Sequence, residues 1–481
     1  MKKQNHVSEK RKRRRKKNER KAIILAVLVV ISVIALAVTL AAFVFKADFF
    51  VDKNREKQKN RQENDAQPEI EVTVEDATNQ SDHGGGLDDT DLGQTDGSNP
   101  DQPDRSAVQK DENVQVLQDV TMIFAGDICF YDAYANMTAL RARGGKIESC
   151  IDEKLLAEMK AADICMVNNE FAYSDRGAPL ADKAFTFCSK PSNVSLLHDM
   201  GVDLVSLANN HVYDYGPDAL LDTLDTLKNA DIPYVGAGRD LSEASAVYYF
   251  EKNGRRIAFV SATQVERNEH PDTKGATDTT PGTFRCYTKD EFERLAAVIR
   301  EADAQADLTV VYVHWGTENT DELHWAQIEQ APKIVEAGAD LIIGDHPHCL
   351  QNVEYLNGVP IIYSLGNFWF NSKTLDTCLF KVIYRTDGKL DCRLIPAKQH
   401  DCRTDMETGS EKQRILDYMQ CISPNVTFDQ DGNITNTPYT GPKIDYDAVE
   451  RVPDPPAAAT PLPAADPAGP VPDDITPVPV Q

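Results

Sequence analysis

The sequence predicts a mixed α/β domain, two sheets with helices outside them, carried behind one transmembrane helix and a disordered acidic linker. Three observations carry that reading. Residues 22–45 hold no charge over 24 positions, with only Ser32 and Thr39 as polar interruptions, and roughly 20 apolar residues cross a bilayer core. Within 118–398, apolar runs of strand length alternate with amphipathic helical stretches and then give way to hairpin signals, the pattern of βα units followed by antiparallel strands. The flanking segments are too polar or too rich in proline to bury a core.

Residues 1–21 form a basic tail. Up to Lys46 the chain holds 13 Lys and Arg against two acids, Glu9 and Glu19, which leaves 38 basic against 74 acidic residues, a net −36, for everything after it. The positive-inside rule keeps such a basic end in the cytoplasm and exports the rest. The apolar run is longer than the ~7–15 residues of a signal-peptide core, and no small-x-small cleavage site ends it. An uncleaved, single-pass anchor in the cell membrane is expected, with the main domain extracellular and the lipid bilayer as one partner. The whole-chain charge of −25 over 481 residues excludes nucleic acid as the main partner.

Residues 46–117, dominated by Asp, Gln, Asn, Gly, Glu and Ser, read as the disordered linker. Residues 447–481 read as an extended Pro/Ala-rich tail. The ten cysteines form no CxxC, so no thiolate zinc site is expected. Export permits disulfides, but their pairing is not legible in a single chain.

Inside 118–398 the elements follow in order. Strands are expected at 120–125, 163–168 and 203–207, with a helix at 152–162. Another helix starts at Pro217, proline being well suited to a first turn, and sets Leu220, Leu221, Leu224 and Leu227 on one face. Asn253-Gly254, Asn357-Gly358 and Asp387-Gly388 mark hairpins. Helices at 289–303 and 322–337 alternate with strands at 308–313 and 340–343. Residues 399–446 form a C-terminal extension of two or three further elements with no legible function.

Chemistry concentrates at strand exits, where open α/β sheets build their sites. Asp127 follows Phe124-Ala125-Gly126, and Glu170 follows Val167-Asn168-Asn169. Asn210, His211 and Asp214 share the exit of a third strand. His314 precedes Trp315-Gly316, with Glu318 behind it, and His346 and His348 follow Gly344-Asp345. Each has an ordinary reading alone: a turn or cap aspartate, a solvated acid, a turn asparagine, a core histidine. Together they hold four of the ten histidines at three exits. Imidazole, carboxylate and carboxamide oxygen suit Mn²⁺, Fe²⁺ or Zn²⁺, and two such ions ~3.5–4 Å apart clamp an attacking and a leaving oxygen.

With these pieces in this order, the chain resembles a known family over residues 121–396. Besides the strand exits, the matching pieces are Gly236-Ala237-Gly238, Gln351 and Glu354 behind His346-Pro347-His348, and Tyr363-Ser364-Leu365-Gly366-Asn367-Phe368. The family is the capsule-synthesis CapA (PgsA) family, involved in poly-γ-glutamate production, within the calcineurin-like metallophosphoesterase superfamily. The resemblance implies a four-layer α/β/β/α sandwich holding two divalent ions. It implies that Asp127 binds one metal, that Glu170 bridges the pair, and that Asn210, His314, His346 and His348 complete the ligands. His211 would be the general acid beside the leaving group. Asp214 would either orient His211 or cap the helix at Pro217. One departure is that Cys129 stands where typical phosphoesterases of the superfamily carry a histidine. The implied function is biosynthesis, export or anchoring of an anionic surface polymer of the poly-γ-glutamate type, by a metal-dependent hydrolase or transferase. Its partners would be the polymer or its precursor and membrane polymer-synthase subunits. The alternatives are a non-catalytic capsule-assembly subunit and an extracellular metal-dependent phosphoesterase.

Overall fold

The computed structural model describes residues 117–181, 183–265 and 274–442, all within the compact unit Val108–Gln481. The expected basic tail, membrane span at 22–45 and Pro/Ala-rich tail lie outside these residues, as does all of the linker but Leu117. Among the described residues, no helix is long and apolar enough to cross a membrane.

The chain opens with β1 (Val120–Ile128), α1 (Ala135–Ala142), α2 (Glu153–Ala161) and β2 (Ile164–Asn169). These are followed by α3 (Ser195–Met200), β3 (Leu204–Ser206), α4 (Pro217–Asn229) and β4 (Tyr234–Val235). A second series comprises β5 (Tyr248–Lys252), β6 (Arg255–Thr263), α5 (Lys289–Asp303), β7 (Leu308–His314), α6 (Trp325–Ala337) and β8 (Leu341–Asp345). Then come β9 (Val353–Leu356), β10 (Val359–Ile362), β11 (Asn367–Trp369), β12 (Leu375–Tyr384) and β13 (Leu390–His400). The last elements are β14 (Arg403–Met406), α7 (Gly409–Ile422), β15 (Thr427–Phe428) and β16 (Asn433–Thr435).

Ten strands form one sheet, ordered β15-β16-β13-β12-β1-β2-β3-β4, with β11 beside β1 and β14 beside β13. Six form a second, ordered β9-β10-β8-β7-β6-β5. Each sheet has a parallel centre and antiparallel flanks: β1, β2, β3 and β4 run parallel in the first, and β6, β7, β8 and β10 in the second. The three turn dipeptides close hairpins as expected. Asn253 and Gly254 take φ of 53° and 75°, and Asn357 and Gly358 take 53° and 87°, the left-handed pair that a tight hairpin requires.

Strand alternation assembles the layers, because successive side chains point to opposite faces. Met122 and Phe124 of β1 join Ile257 and Phe259 of β6, Val310 and Tyr312 of β7 and Ile343 of β8 in one buried cluster between the sheets. Their neighbours face outward. Ile123 and Ala125 pack with Leu155, Leu156, Leu220 and Leu224 of α2 and α4, while Ala258, Val311 and Ile342 pack with Leu295, Ile299 and Ile334 of α5 and α6. Three cores therefore separate four layers, α/β/β/α. All-parallel centres need both faces covered, which accounts for the near-continuous apolar runs of these strands.

Residues 399–442 are part of this body. The expected boundary at 398 falls inside β13, whose pairing with β12 continues through Gln399↔Leu375. Ile415, Leu416 and Met419 of α7, with Val426 and Ile434, belong to the inter-sheet core. Fully burying such side chains is worth about 1.5–3 kcal/mol each, so losing five removes about as much as the whole 5–15 kcal/mol that stabilises a typical domain. A chain truncated after Pro396 is therefore expected to lose its cooperative thermal transition, while one ending at 442 retains it. Matching circular-dichroism melts of the two would refute the assignment.

Candidate metal centre

Five parallel strands converge at their carboxyl ends, where the two sheets meet. The register of β1 against β2 skips at Gly126, from Ala125↔Val167 to Asp127↔Asn168. This bulge resets the alternation, so Ala125 and Ile128 both face the outer core and Asp127 falls on the other phase. A side chain at Gly126 would overlap the Gly366 carbonyl oxygen, so only glycine lets the two backbones come this close. His346 and His348 sit at φ of 103° and 58°, a conformation that costs energy for residues with a side chain; their rings lie 5.8 Å apart at the seam.

The donor atoms fall into two groups. Around His314 Nε2 lie Asn210 Oδ1 at 2.8 Å, His346 Nδ1 at 3.1 Å and Glu170 Oε1 at 3.5 Å. Around His348 Nδ1 lie Asp127 Oδ2 at 3.1 Å and Asn367 Oδ1 at 2.9 Å. Glu170 belongs to both, since Glu170, His314 and His346 on one side and Asp127, Glu170 and His348 on the other each offer ligand atoms within 4.8 Å of one another. Exposed Glu318 forms a third such group with His346 and His348.

The chemistry of these donors fits divalent cations. Four ligands about 2.1 Å from an ion stand about 3.4 Å apart, close to the spacings around His314 Nε2. Both carboxylate oxygens of fully buried Glu170 accept no hydrogen bond from the described residues, and a buried charge without a partner is strongly unfavourable. Asp127 and Asp345 are also fully buried. Burial, and then the Asp127 charge, push the Glu170 and Asp345 carboxyls well above the usual range. Burial holds His314 well below the usual imidazole range, which leaves it neutral, as a ligand must be.

Supporting contacts fix these groups. Asn209 Oδ1 accepts from the backbone amides of His211 and Val212, so its Nδ2 must point at Asn168 Oδ1, 3.0 Å away. That in turn aims Asn168 Nδ2 at Asp127 Oδ1, 2.7 Å away. Asp345 accepts from the Tyr312 hydroxyl and ligates nothing in this arrangement.

His211 stands apart from the donor set, its Nε2 3.9 Å from Glu170 Oε1. Its Nδ1 lies 2.7 Å from Asp214 Oδ2, which also accepts from the Phe187 amide. The helix at Pro217 has no side-chain cap, so Asp214 is occupied by His211 and not by the helix. Lys183 bonds Asp214 Oδ1 at 2.6 Å and the Asn210 carbonyl. Burial drives His211 to a pKa of about 4, against the pull of Asp214. Phe187 packs on the His211 ring at 4.3 Å, and Phe370 on that of His348 at 5.3 Å.

Sequence reading missed Lys183, Phe187 and Asn367 as parts of the site. Lys183 and Phe187 sit in irregular chain with no spacing signal. Asn367 lies in a quoted motif, Ser364-Leu365-Gly366-Asn367, that carried no assigned role. Cys129 is fully buried, packs in the outer core, and joins none of the ligand groups found among the described residues.

The family model described as "Bacterial capsule synthesis protein PGA_cap" matches residues 121–372. The PGA biosynthesis protein CapA of Bacillus subtilis (strain 168) is 34% identical over 241 residues, covering 49% of this chain and 61% of that protein. The capsule biosynthesis protein CapA of Bacillus anthracis is 33% identical over 240 residues, covering 49% and 57%. A probable polyglutamine synthesis accessory protein of Mycobacterium tuberculosis (strain CDC 1551 / Oshkosh) is 28% identical over 213 residues, covering 44% and 56%. The chain thus spans about three fifths of the length of the curated relatives it matches.

Two expectations follow. Adding Mn²⁺ to chelator-stripped protein at pH 7, at about 100 times its dissociation constant, should add about 2.7 kcal/mol and raise the melting temperature by several degrees. Glu170→Gln should melt higher than wild type when metal-free and respond little to Mn²⁺; a full response in that variant would count against the site. The second concerns pH. The folded chain keeps His211 neutral down to a pKa of about 4, whereas the unfolded chain protonates it near the ordinary imidazole value of about 6.5. This contribution is therefore complete above pH 6.5 and lost as pH falls toward 4, by up to roughly 3 kcal/mol. The stability difference between wild type and His211→Gln should shift against wild type across that window in urea titrations, and a pH-independent difference would refute it.

Proposed function

This chain belongs to the PGA_cap family of bacterial capsule synthesis proteins, and from that premise we propose a membrane-anchored extracytoplasmic enzyme that uses a divalent-cation centre. In this reading the fold is of the calcineurin-like metallophosphoesterase type, and the apolar span at 22–45 is its anchor. It hydrolyses or transfers at a phosphoester or amide bond during synthesis, export or attachment of an anionic surface polymer of the poly-γ-glutamate type. The observation that carries it is the buried Glu170 carboxylate, without a hydrogen bond among the described residues, between two groups of metal-competent donors.

One cation would be held by Glu170, Asn210, His314 and His346, and the other by Asp127, Glu170 and His348. Ions bound there would polarise a substrate oxygen and neutralise charge developing on it. The remaining work belongs to the chain. Asp214 holds His211 through Nδ1, so Nε2 is the atom through which a proton is exchanged with a leaving group. At neutral pH that nitrogen is unprotonated, and an anionic substrate beside it raises its affinity for a proton. The acid form is thereby assembled only when substrate is present. Lys183 balances the Asp214 charge. Phe187 and Phe370 wall off the His211 and His348 rings, keeping water from that side.

The relatives' names speak of capsule, PGA and polyglutamine synthesis, and synthase subunits of the membrane are natural partners. The exported part of the chain carries −36, so a polyanionic substrate needs bridging cations to approach it.

Membranes carrying the full chain should hydrolyse poly-γ-glutamate fragments or a phosphoester panel in a chelator-sensitive manner. His346→Ala should lower kcat/KM by at least about 100-fold, and protease added to intact cells should digest the domain. Chelator-resistant activity, or a domain protected until the cells are broken, would overturn the corresponding half of the proposal.

A further inference from the structure

The cation position served by Asp127 and His348 has one imidazole, where the other has two, and Cys129 does not make up the difference. Asn367 stands in that place. β11 pairs with β1 in parallel at Asp127↔Asn367, and in-register neighbours on paired strands project from the same face. The pairing is tight: the Asp127 amide donates to the Gly366 carbonyl at 3.1 Å, and Gly126 leaves room for it. Asn367 is 2% exposed. Its Oδ1 and Asp127 Oδ2 converge on the same His348 nitrogen, at 2.9 and 3.1 Å. That nitrogen carries at most one hydrogen, so two oxygen acceptors are more than it can fully satisfy. The other position shows the same pairing, with Asn210 Oδ1 against His314 Nε2.

We propose that Asn367 donates its carboxamide oxygen to the cation held by Asp127, Glu170 and His348, in place of the missing imidazole. The inference rests on the cation-centre reading above. It makes the two positions chemically unequal. One offers two nitrogens and two oxygens; the other offers one nitrogen and three oxygens, which favours Mn²⁺ over Zn²⁺ relative to the first.

The test uses the full-length chain stripped with chelator and titrated with Co²⁺. Wild type takes two equivalents with no thiolate-to-cobalt absorption. Asn367→Ala keeps one equivalent unchanged and binds the second at least about tenfold more weakly. Asn367→Asp, which preserves shape and oxygen, holds both at wild-type affinity or tighter. Asn367→Cys develops a near-ultraviolet charge-transfer band with its second equivalent, a signature that only coordination by residue 367 produces. In equimolar Mn²⁺ and Zn²⁺, Asn367→Ala loses manganese preferentially. Two wild-type-affinity equivalents in Asn367→Ala, two bound cobalt ions without the band in Asn367→Cys, or preferential loss of zinc would overturn the assignment while leaving the centre intact. Failure of wild type to bind two cations would overturn the underlying reading instead.

Discussion

Three carboxylates buried at one seam are the constraint on which the rest of this domain depends. Asp127, Glu170 and Asp345 are all fully buried, and the charge of Asp127 bears on the other two. Isolated charges at such depth are prohibitive unless partnered. The fold answers for two of them. Asp345 takes the Tyr312 hydroxyl, and Asp127 takes Asn168 and His348. Among the described residues, Glu170 is left with histidine nitrogens at 3.5 and 3.9 Å and no hydrogen bond. The imidazole and carboxamide atoms around that carboxylate are chemically matched to a cation.

The backbone is shaped to hold that arrangement. Both sheets place parallel strands at their centres, so strand exits from each meet at one seam. The bulge at Gly126 turns Asp127 out of the phase of its own strand, and β11 reaches Asp127 only because no side chain stands at Gly126. His346 and His348 accept left-handed backbone, a cost that the packed strands on either side can enforce. Rigid, strained chain of this kind holds ligand atoms to a narrow geometry, as a cation site needs.

A second polar chain runs beside the centre without joining it. Lys183, Asp214 and His211 are linked in series, with Phe187 stacked on the imidazole. Low local polarity strengthens each of these contacts and holds His211 neutral. A neutral imidazole oriented by a carboxylate serves proton transfer, whereas an assembly surface has no need of one buried this way. That arrangement agrees with the chemical role proposed above.

Local signals in the sequence located most of the strands and helices that carry the site and the polar residues at their ends, but not α1, α3 or β11. Strand alternation, the three turn dipeptides and the amphipathic helices depend only on neighbours a few residues apart, and the helix at 289–303 emerges with those bounds. The clustering of histidine, acid and amide at strand exits is likewise a local pattern, because a strand end is where a polar side chain can leave an apolar layer. Tertiary structure decided what those residues face. It decided that Asp214 serves His211 and not the helix behind it, that 399–442 completes the main sheet, and that Lys183, Phe187 and Asn367 share the site. Each of these rests on contacts between residues remote in sequence, such as Asp127 with Asn367 across β1 and β11. No periodicity records such a pairing, because it arises only when the two sheets close over a common core.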